Sequence, residues 1–213
     1  MAQAKGSSMY SVVVVDDHPA ICLAVKVTIE AISGFKVVGL AETGPAALAI
    51  IREKSPALVI LDLDLPGMSG LSLIGRIRGE FSGTKVLVLS AQHETIFSTR
   101  AMQAGADGFL SKNEDMRKLA EGAKSVMAGY SVFPTSAIVS LSNPRASPLS
   151  ALTNRELAVL QYLARGMNNR EIGEILLISN KTVSTFKARI FDKLCISTIV
   201  ELVDFARTNH LIT

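Results

Sequence analysis

Apolar positions in the first 130 residues switch repeatedly between two periods. Short unbroken apolar runs near 11–16, 35–41, 57–62, 84–90 and 107–111 read as strands buried on both faces. Between them apolar residues return at helical spacing, as in Leu71, Ile74, Ile77 and Phe81, or Met116, Leu119, Ala123 and Val126. Breakers mark the joints at Ser55-Pro56, Pro66-Gly67, Ser82-Gly83 and Gly105-Ala106. Five such units predict an α/β domain, a five-stranded parallel sheet doubly wound with helices on both faces. The functional crevice of such a sheet lies beyond the carboxyl ends of its strands. Those ends here are Asp16-Asp17, Asp62, Ser90 and Ser111-Lys112.

The pattern then changes. Two prolines and four serines between 140 and 150 mark a linker, taken as 131–149. Beyond it every period is helical, which predicts an all-α module over 150–213. Thr153-Asn-Arg-Glu156 is a capping box opening a helix that ends near Gly166. Asn168-Asn-Arg-Glu171 opens a short second helix, Ser179 a third reaching about Lys193, and Thr198 a fourth reaching Asn209. Residues 1–9 contain no apolar core and cannot form a secretory signal. They are expected to be disordered, or extraneous with Met9 as the native start.

Hydrophobic content of 48% with 19% charge is that of a globular protein. No apolar run is long enough to span a membrane. Cys22 and Cys195 lie in different halves without neighbouring ligands, so both are expected to be small buried hydrophobes in a reducing cytoplasm. Residues 1–140 hold 13 basic and 13 acidic side chains, and residues 141–213 hold 9 and 6. The positive excess therefore lies entirely at the C-terminal end, where a small basic module suits nucleic acid.

If strands one and three are neighbours, Asp16, Asp17 and Asp62 converge. Like charges so close are costly unless a cation joins them or one carboxylate reacts. A carboxylate can accept a phosphoryl group as a nucleophile, and that step needs positioning and charge neutralisation. Mg2+ takes one or two carboxylates plus water and phosphate. Asp16 and Asp17 suit the metal and Asp62 the acceptor, while Lys112 and Ser90 supply a cation and a hydroxyl. Any one of these could be an ordinary turn or cap residue; five together at strand ends are poorly explained that way. His18 is expected to be a neighbour of the pocket and not a reacting group.

Residues 10–130 resemble the receiver domain of two-component response regulators, whose sheet is flavodoxin-like. The matching residues are Asp16-Asp17, Asp62, Ser90 and Lys112, with Leu-Asp-Leu-Asp-Leu-Pro-Gly-Met-Ser-Gly at 61–70 as the phosphorylation segment. The resemblance implies that Asp62 is the phosphoacceptor. It implies that Asp16, Asp17, Asp62 and the backbone carbonyl of Asp64 hold Mg2+, for which Mn2+ can substitute. Ser90 then bonds the phosphoryl oxygens, Lys112 neutralises them, and Phe109 takes the place of the switch aromatic, often Tyr. Asn113 stands where the family often has Pro.

The third helix of the tail has two faces. Val183, Phe186 and Ile190 point to the module core, and Lys181, Ser184, Thr185 and Ala188 lie opposite, flanked by Lys187 and Arg189. Short side chains with basic flanks suit a helix in the DNA major groove. Residues 150–211 resemble a LuxR-type helix-turn-helix through Leu-Thr-Asn-Arg-Glu-Leu (152–157), Gly-Met-Asn-Asn-Arg-Glu-Ile (166–172) and Ile-Ser-Asn-Lys-Thr-Val-Ser-Thr (178–185). The whole chain is similar to the NarL/FixJ class, particularly its BvgA/EvgA-type members. The DNA contacts this implies are Lys181, Thr182, Ser184, Thr185, Lys187, Ala188 and Arg189. Ser184, Thr185 and Ala188 fall at base-reading positions. Ala188 offers only an apolar contact, leaving a share of recognition to DNA shape.

The implied function is a phosphorylation-switched transcription factor of the cytoplasm, not an enzyme beyond self-phosphorylation and dephosphorylation. A sensor histidine kinase, simple or hybrid, is the expected donor, and promoter DNA the target. A homodimer is expected when phosphorylated or DNA-bound, with Ile199, Leu202, Val203 and Phe205 of the fourth helix as its surface or as module core. In this class the unphosphorylated receiver often masks the recognition helix. Two rivals remain. Asp62-Leu-Asp64 resembles the Asp-x-Asp of haloacid-dehalogenase-type phosphatases, but Pro66 stands where that motif has Thr or Val. A receiver that signals without phosphate is the other.

Overall fold

The computed structural model describes residues 9–92, 94–142, 148–209 and 211–212. Residues 1–8 of the expected leader and 143–147 of the expected linker lie outside the described residues. The chain forms two compact units, dividing between Pro134 and Thr135.

In the first unit, strands and helices alternate as β1 (Tyr10–Val15), α1 (Pro19–Glu30), β2 (Phe35–Ala41), α2 (Gly44–Lys54), β3 (Leu58–Leu61), α3 (Gly70–Glu80), β4 (Lys85–Ser90), α4 (Glu94–Ala104), β5 (Gly108–Ser111) and α5 (Met116–Met127). Every strand pairing is parallel and the order is β2-β1-β3-β4-β5. The order reverses at β1 and β3, so the chain leaves these adjacent strands in opposite directions and opens a crevice at their carboxyl ends.

Local chemistry explains the element ends. α1 begins with Pro19 in its first turn, where a missing N–H costs nothing. The Thr43 side chain caps α2 by accepting from Ala46 N at 3.3 Å. That helix stops at Ser55, which is left-handed (φ 43°) just before Pro56. Burial follows the pleat. Val12, Val14, Leu58, Ile60, Leu87 and Leu89 pack with Val25, Ile29, Leu119, Ala123 and Val126 of α1 and α5. Their alternates Val13, Val15, Val59, Leu61, Val86 and Val88 are also buried. Two-sided burial is why these strands read as unbroken apolar runs.

The span expected as a linker is not structureless. Val132 N donates to Asp107 O (3.0 Å) and Phe109 N to Val132 O (2.7 Å), so the chain after α5 returns to the edge of β5. A helix, α6, then covers Thr135–Ser142. No Gly or Pro interrupts this segment, and Ala137 is fully buried. The serines and prolines that suggested a linker begin only at its end.

The second unit continues with a 3-10 turn at Pro148–Ala151, then α7 (Asn154–Ala164), α8 (Asn169–Leu176), α9 (Asn180–Leu194) and α10 (Ile199–Thr208). α7, α8 and α10 each open with a complete capping box, at Thr153/Glu156, Asn168/Glu171 and Thr198/Glu201. Leu157, Val159, Leu160, Leu163, Ile172, Leu176, Val183, Ile190, Leu202 and Ala206 are among its buried apolar side chains. Glu156 is buried with them. It accepts from Thr153 N (2.7 Å) and Lys193 Nζ (2.7 Å), tying the start of α7 to the end of α9.

One expectation needs correction, and one open alternative is narrowed. Cys195 is exposed, in the left-handed residue that ends α9 (φ 54°), whereas Cys22 is buried as expected. In α10 Leu202 is a core residue, so it leaves Ile199, with Val200, as the exposed apolar positions. Periodicity over ten residues does not separate a module's core stripe from an outer one.

Candidate functional site

The backbone of the sheet sets the pocket before any side chain does. Asp62 N donates to Val15 O (2.8 Å), Asp16 N to Ala41 O (3.0 Å), and Lys112 N to Ser90 O (2.9 Å). Each residue is therefore held one step past its strand, on the same edge. Gly70 closes the loop that follows Asp62. A Cβ at this glycine would stand 2.5 Å from Asp62 O and 2.6 Å from Leu63 Cα, so the start of α3 approaches the Asp62 backbone too closely for any side chain.

Asp16, Asp62 and Lys112 meet in this frame. Lys112 Nζ is 2.6 Å from Asp16 Oδ2 and 2.6 Å from Asp62 Oδ2. The two carboxylate residues are only 3% and 4% exposed. Asp62 Oδ1 accepts from Leu63 N at 2.6 Å, and Asp16 Oδ1 from His18 N at 3.0 Å. Burial pushes the Asp62 carboxyl up to about 6, although the positive charge and hydrogen bond of Lys112 pull it down. Lys112 itself is raised: burial opposes its charge, but Asp62 and Asp16 outweigh that.

Asp17 is half-buried beside this pair. His18 Nδ1 lies 2.6 Å from Asp17 Oδ1, out of line for a hydrogen bond, and that buried oxygen accepts none. A buried carboxylate oxygen without a donor beside two buried carboxylates is a poor arrangement for the protein alone. It fits a hard divalent cation, which takes oxygen ligands. Asp16, Asp17 and His18 have ligand atoms within 4.8 Å of one another, so the histidine edges the acidic group.

The remaining predicted residues are placed as follows. Ser90 is fully buried at the end of β4, and its Oγ accepts from Gln92 N at 3.2 Å. Phe109 is 2% exposed and so already lies inside the domain. The Asp64 side chain is held from across the pocket mouth: Gln92 Nε2 donates to both its oxygens at 2.5 Å. Gln92 was not anticipated. Its only sequence signal is a polar residue two places beyond a strand-end serine, and its pairing depends on a residue 28 positions away.

On α9, Lys181, Ser184, Thr185, Ala188 and Arg189 are exposed and Thr182 is half-buried. Thr182 serves the helix itself, its N–H donating to the capping Ser179 Oγ at 3.0 Å. Lys187 is also half-buried, its Nζ 5.5 Å from the centre of the Phe191 ring. Val183 and Ile190 are buried and Phe186 half-buried, so the two predicted faces are the observed ones.

A parallel sheet with buried carboxylates at its switch point, followed by a helical module with an exposed basic helix, defines a regulator that couples a receiver to DNA. The response regulator receiver domain matches residues 12–124, and the luxR family of bacterial regulatory proteins matches residues 150–206. The chain belongs to the response regulators with a luxR-type DNA-binding domain and is a transcriptional regulator of two-component type. It is 47% identical over 208 residues to a transcriptional regulator of Pseudomonas aeruginosa, covering 96% of this chain and 100% of that one. It is 41% identical over 209 residues to the virulence-factor transcription regulator BvgA of Bordetella pertussis, covering 95% and 100%. Among solved structures, the RcsB response regulator of Salmonella typhimurium superposes with a TM-score of 0.74 at 24% identity, over 94% of this chain and 98% of that one. No helix of the described residues is long and apolar enough to cross a membrane.

Proposed function

We propose that this regulator is switched by phosphorylation of Asp62, with Mg2+ held by the Asp16, Asp17 and Asp62 carboxylates and the Asp64 backbone carbonyl. The observation that carries this reading is the single lysine shared at 2.6 Å by two buried carboxylates at adjacent strand ends. Such a cluster is ready to receive further negative charge only if cations balance it. When bound, Mg2+ supplies that neutralisation for an incoming phosphoryl group and orients its oxygens.

The chain's own residues do the rest. Asp62 Oδ supplies the nucleophilic oxygen as the ionised carboxylate, the form favoured by the charge and hydrogen bond of Lys112. The phosphoryl group adds about 1.5 to 2 negative charges. Lys112 turns to these, and the Ser90 hydroxyl donates to them. The buried Phe109 repacks as β5 adjusts. A sensor histidine kinase, simple or hybrid, is the donor, and a changed receiver surface favours a homodimer on promoter DNA.

For the output, α9 lies in the major groove. Ser184, Thr185 and Ala188 face bases, and Lys181, Thr182, Lys187 and Arg189 face the backbone. RcsB, which shares the fold, has been solved on promoter rprA with a phosphomimetic and as two dimers on two parallel DNAs. The deciding experiment is labelling of wild type and Asp62→Asn by a small phosphodonor with Mg2+. Loss of label in the variant is expected; label at the wild-type level removes Asp62 as acceptor.

A further inference from the structure

The hydroxyls on the exposed face of α9 are already partly committed. Ser184 Oγ donates to Asn180 O at 3.2 Å, and Thr185 Oγ1 donates to Lys181 O at 3.0 Å. A hydroxyl has one proton and two lone pairs. With their protons turned back onto the helix, both residues face outward as acceptors, and Thr185 adds a methyl group beside that of Ala188. Ser184 is committed further. Asn169 Nδ2, in the first turn of α8, donates to Ser184 Oγ at 3.0 Å across 15 residues of sequence. One lone pair of Ser184 is left.

We propose that Asn169, outside the recognition helix, is a specificity-determining positioning residue of the DNA interface. By donating to Ser184 it fixes the rotamer of that hydroxyl and leaves it a single-lone-pair acceptor. The matching base groups in the major groove are amino groups, adenine N6 or cytosine N4. A Ser184 freed from Asn169 rotates away from Asn180 O, turns its proton outward, and donates it to guanine or thymine oxygens at the same position. Asn169 is half-buried, on the scaffold helix α8 and reaching the exposed face of α9, so its removal leaves the module core untouched. The proposal rests on α9 being the recognition helix.

The test uses the full chain with a small phosphodonor and Mg2+, and a pool of short random-sequence DNA duplexes from which the preferred site is selected. Affinity is then measured on that site and on every single-base variant of it, for wild type, Asn169→Ala, Ser184→Ala, the double variant, Thr185→Ala and Arg189→Ala. Ser184→Ala and Asn169→Ala are expected to relax preference at the same base pair by about fivefold, and the double variant no further than either alone. Thr185→Ala relaxes a different pair. If Asn169→Ala lowers affinity by one factor on all duplexes, or adds fully to Ser184→Ala, Asn169 is structural only and the proposal is overturned. If Ser184→Ala, Thr185→Ala and Arg189→Ala all leave every affinity unchanged, the reading of α9 fails instead, and the proposal with it.

Discussion

Lys112 Nζ lies 2.6 Å from Asp62 Oδ2 while holding Asp16 at the same distance, so one ammonium group balances two buried carboxylates. The site is buried, and burial, with Asp16 adding less, holds the Asp62 carboxyl up at about 6 although Lys112 pulls it down.

The raised carboxyl makes metal-free stability depend on pH. Asp62 ionises near 3.8 when unfolded and about 6 when folded, so the unfolded chain loses its proton first. Stability contributed by the protonated form is present below 3.8 and lost as pH rises to about 6, an amount of about 3 kcal/mol. Asp62→Asn is expected to raise the thermal midpoint of the metal-free protein above pH 6 and to change it little near pH 4. Melting curves across this range check it, and a midpoint unchanged at neutral pH would sink the argument.

Removing the cation acts in the opposite direction. Lys112→Met leaves Asp16 and Asp62 facing each other in a buried site, which is expected to cost about 3–5 kcal/mol at neutral pH. Part of that loss returns as the pH is lowered and one carboxyl takes a proton. Denaturant titrations at neutral and mildly acid pH measure the difference. Equal losses at both would mean that packing of the lysine stem, not its charge, matters.

Gly70→Ala tests the frame and not the chemistry. Its Cβ meets backbone at 2.5–2.6 Å, where no flexible side chain can yield. The cost is expected to be about 1–3 kcal/mol, with slower labelling of Asp62 by a small phosphodonor because its backbone shifts. Wild-type stability together with wild-type labelling would contradict the close approach.

In the helical module, burial alone would push the Glu156 carboxyl up, but hydrogen bonds from Lys193 and Thr153 hold it below its ordinary 4.5. A lowered carboxyl stabilises the fold above its unfolded value, and that stability is lost as pH falls through the folded value. The protection factors of the α7 amides, with the intrinsic pH dependence of exchange divided out, are expected to fall on acidification in wild type, and much less steeply in Glu156→Gln, which is less protected from the outset. Parallel pH profiles for the two proteins would remove Glu156 as the acid-sensitive group.

The two basic residues that flank the α9 face differ. Arg189 is exposed, so Arg189→Ala is expected to weaken binding evenly across DNA sequences and reduce the salt slope by about one. Lys187 is half-buried with its ammonium over Phe191. Lys187→Ala should give the same change in salt slope and also loosen the module, which Arg189→Ala does not. Binding measured over a series of salt concentrations, with melting curves beside it, separates the two.

Much of this protein was readable from the chain alone. Strands buried on both faces leave unbroken apolar runs, and helices leave a 3.6-residue period. Capping boxes are local by nature, so the starts of α7 and α8 at Thr153 and Asn168 follow from four residues each. The polar residues at strand ends, Asp16, Asp62, Ser90 and Lys112, were legible because a parallel sheet places all such ends on one edge. Their pairings were not. That Lys112 is shared by Asp16 and Asp62, that Gln92 clasps Asp64, and that Asn169 holds Ser184 are contacts between residues 15 to 96 positions apart. Nothing in a local pattern encodes such contacts, because they are set by strand order and helix crossing. The same holds for α10, where one apolar stripe could face a core or a partner, and for Thr135–Ser142, where weak local signals yield a helix anchored by the buried Ala137. Composition and period determined which elements form and where their polar ends fall; tertiary packing alone decided which charges share a counter-ion, because distance in space enters that energy and separation along the chain does not.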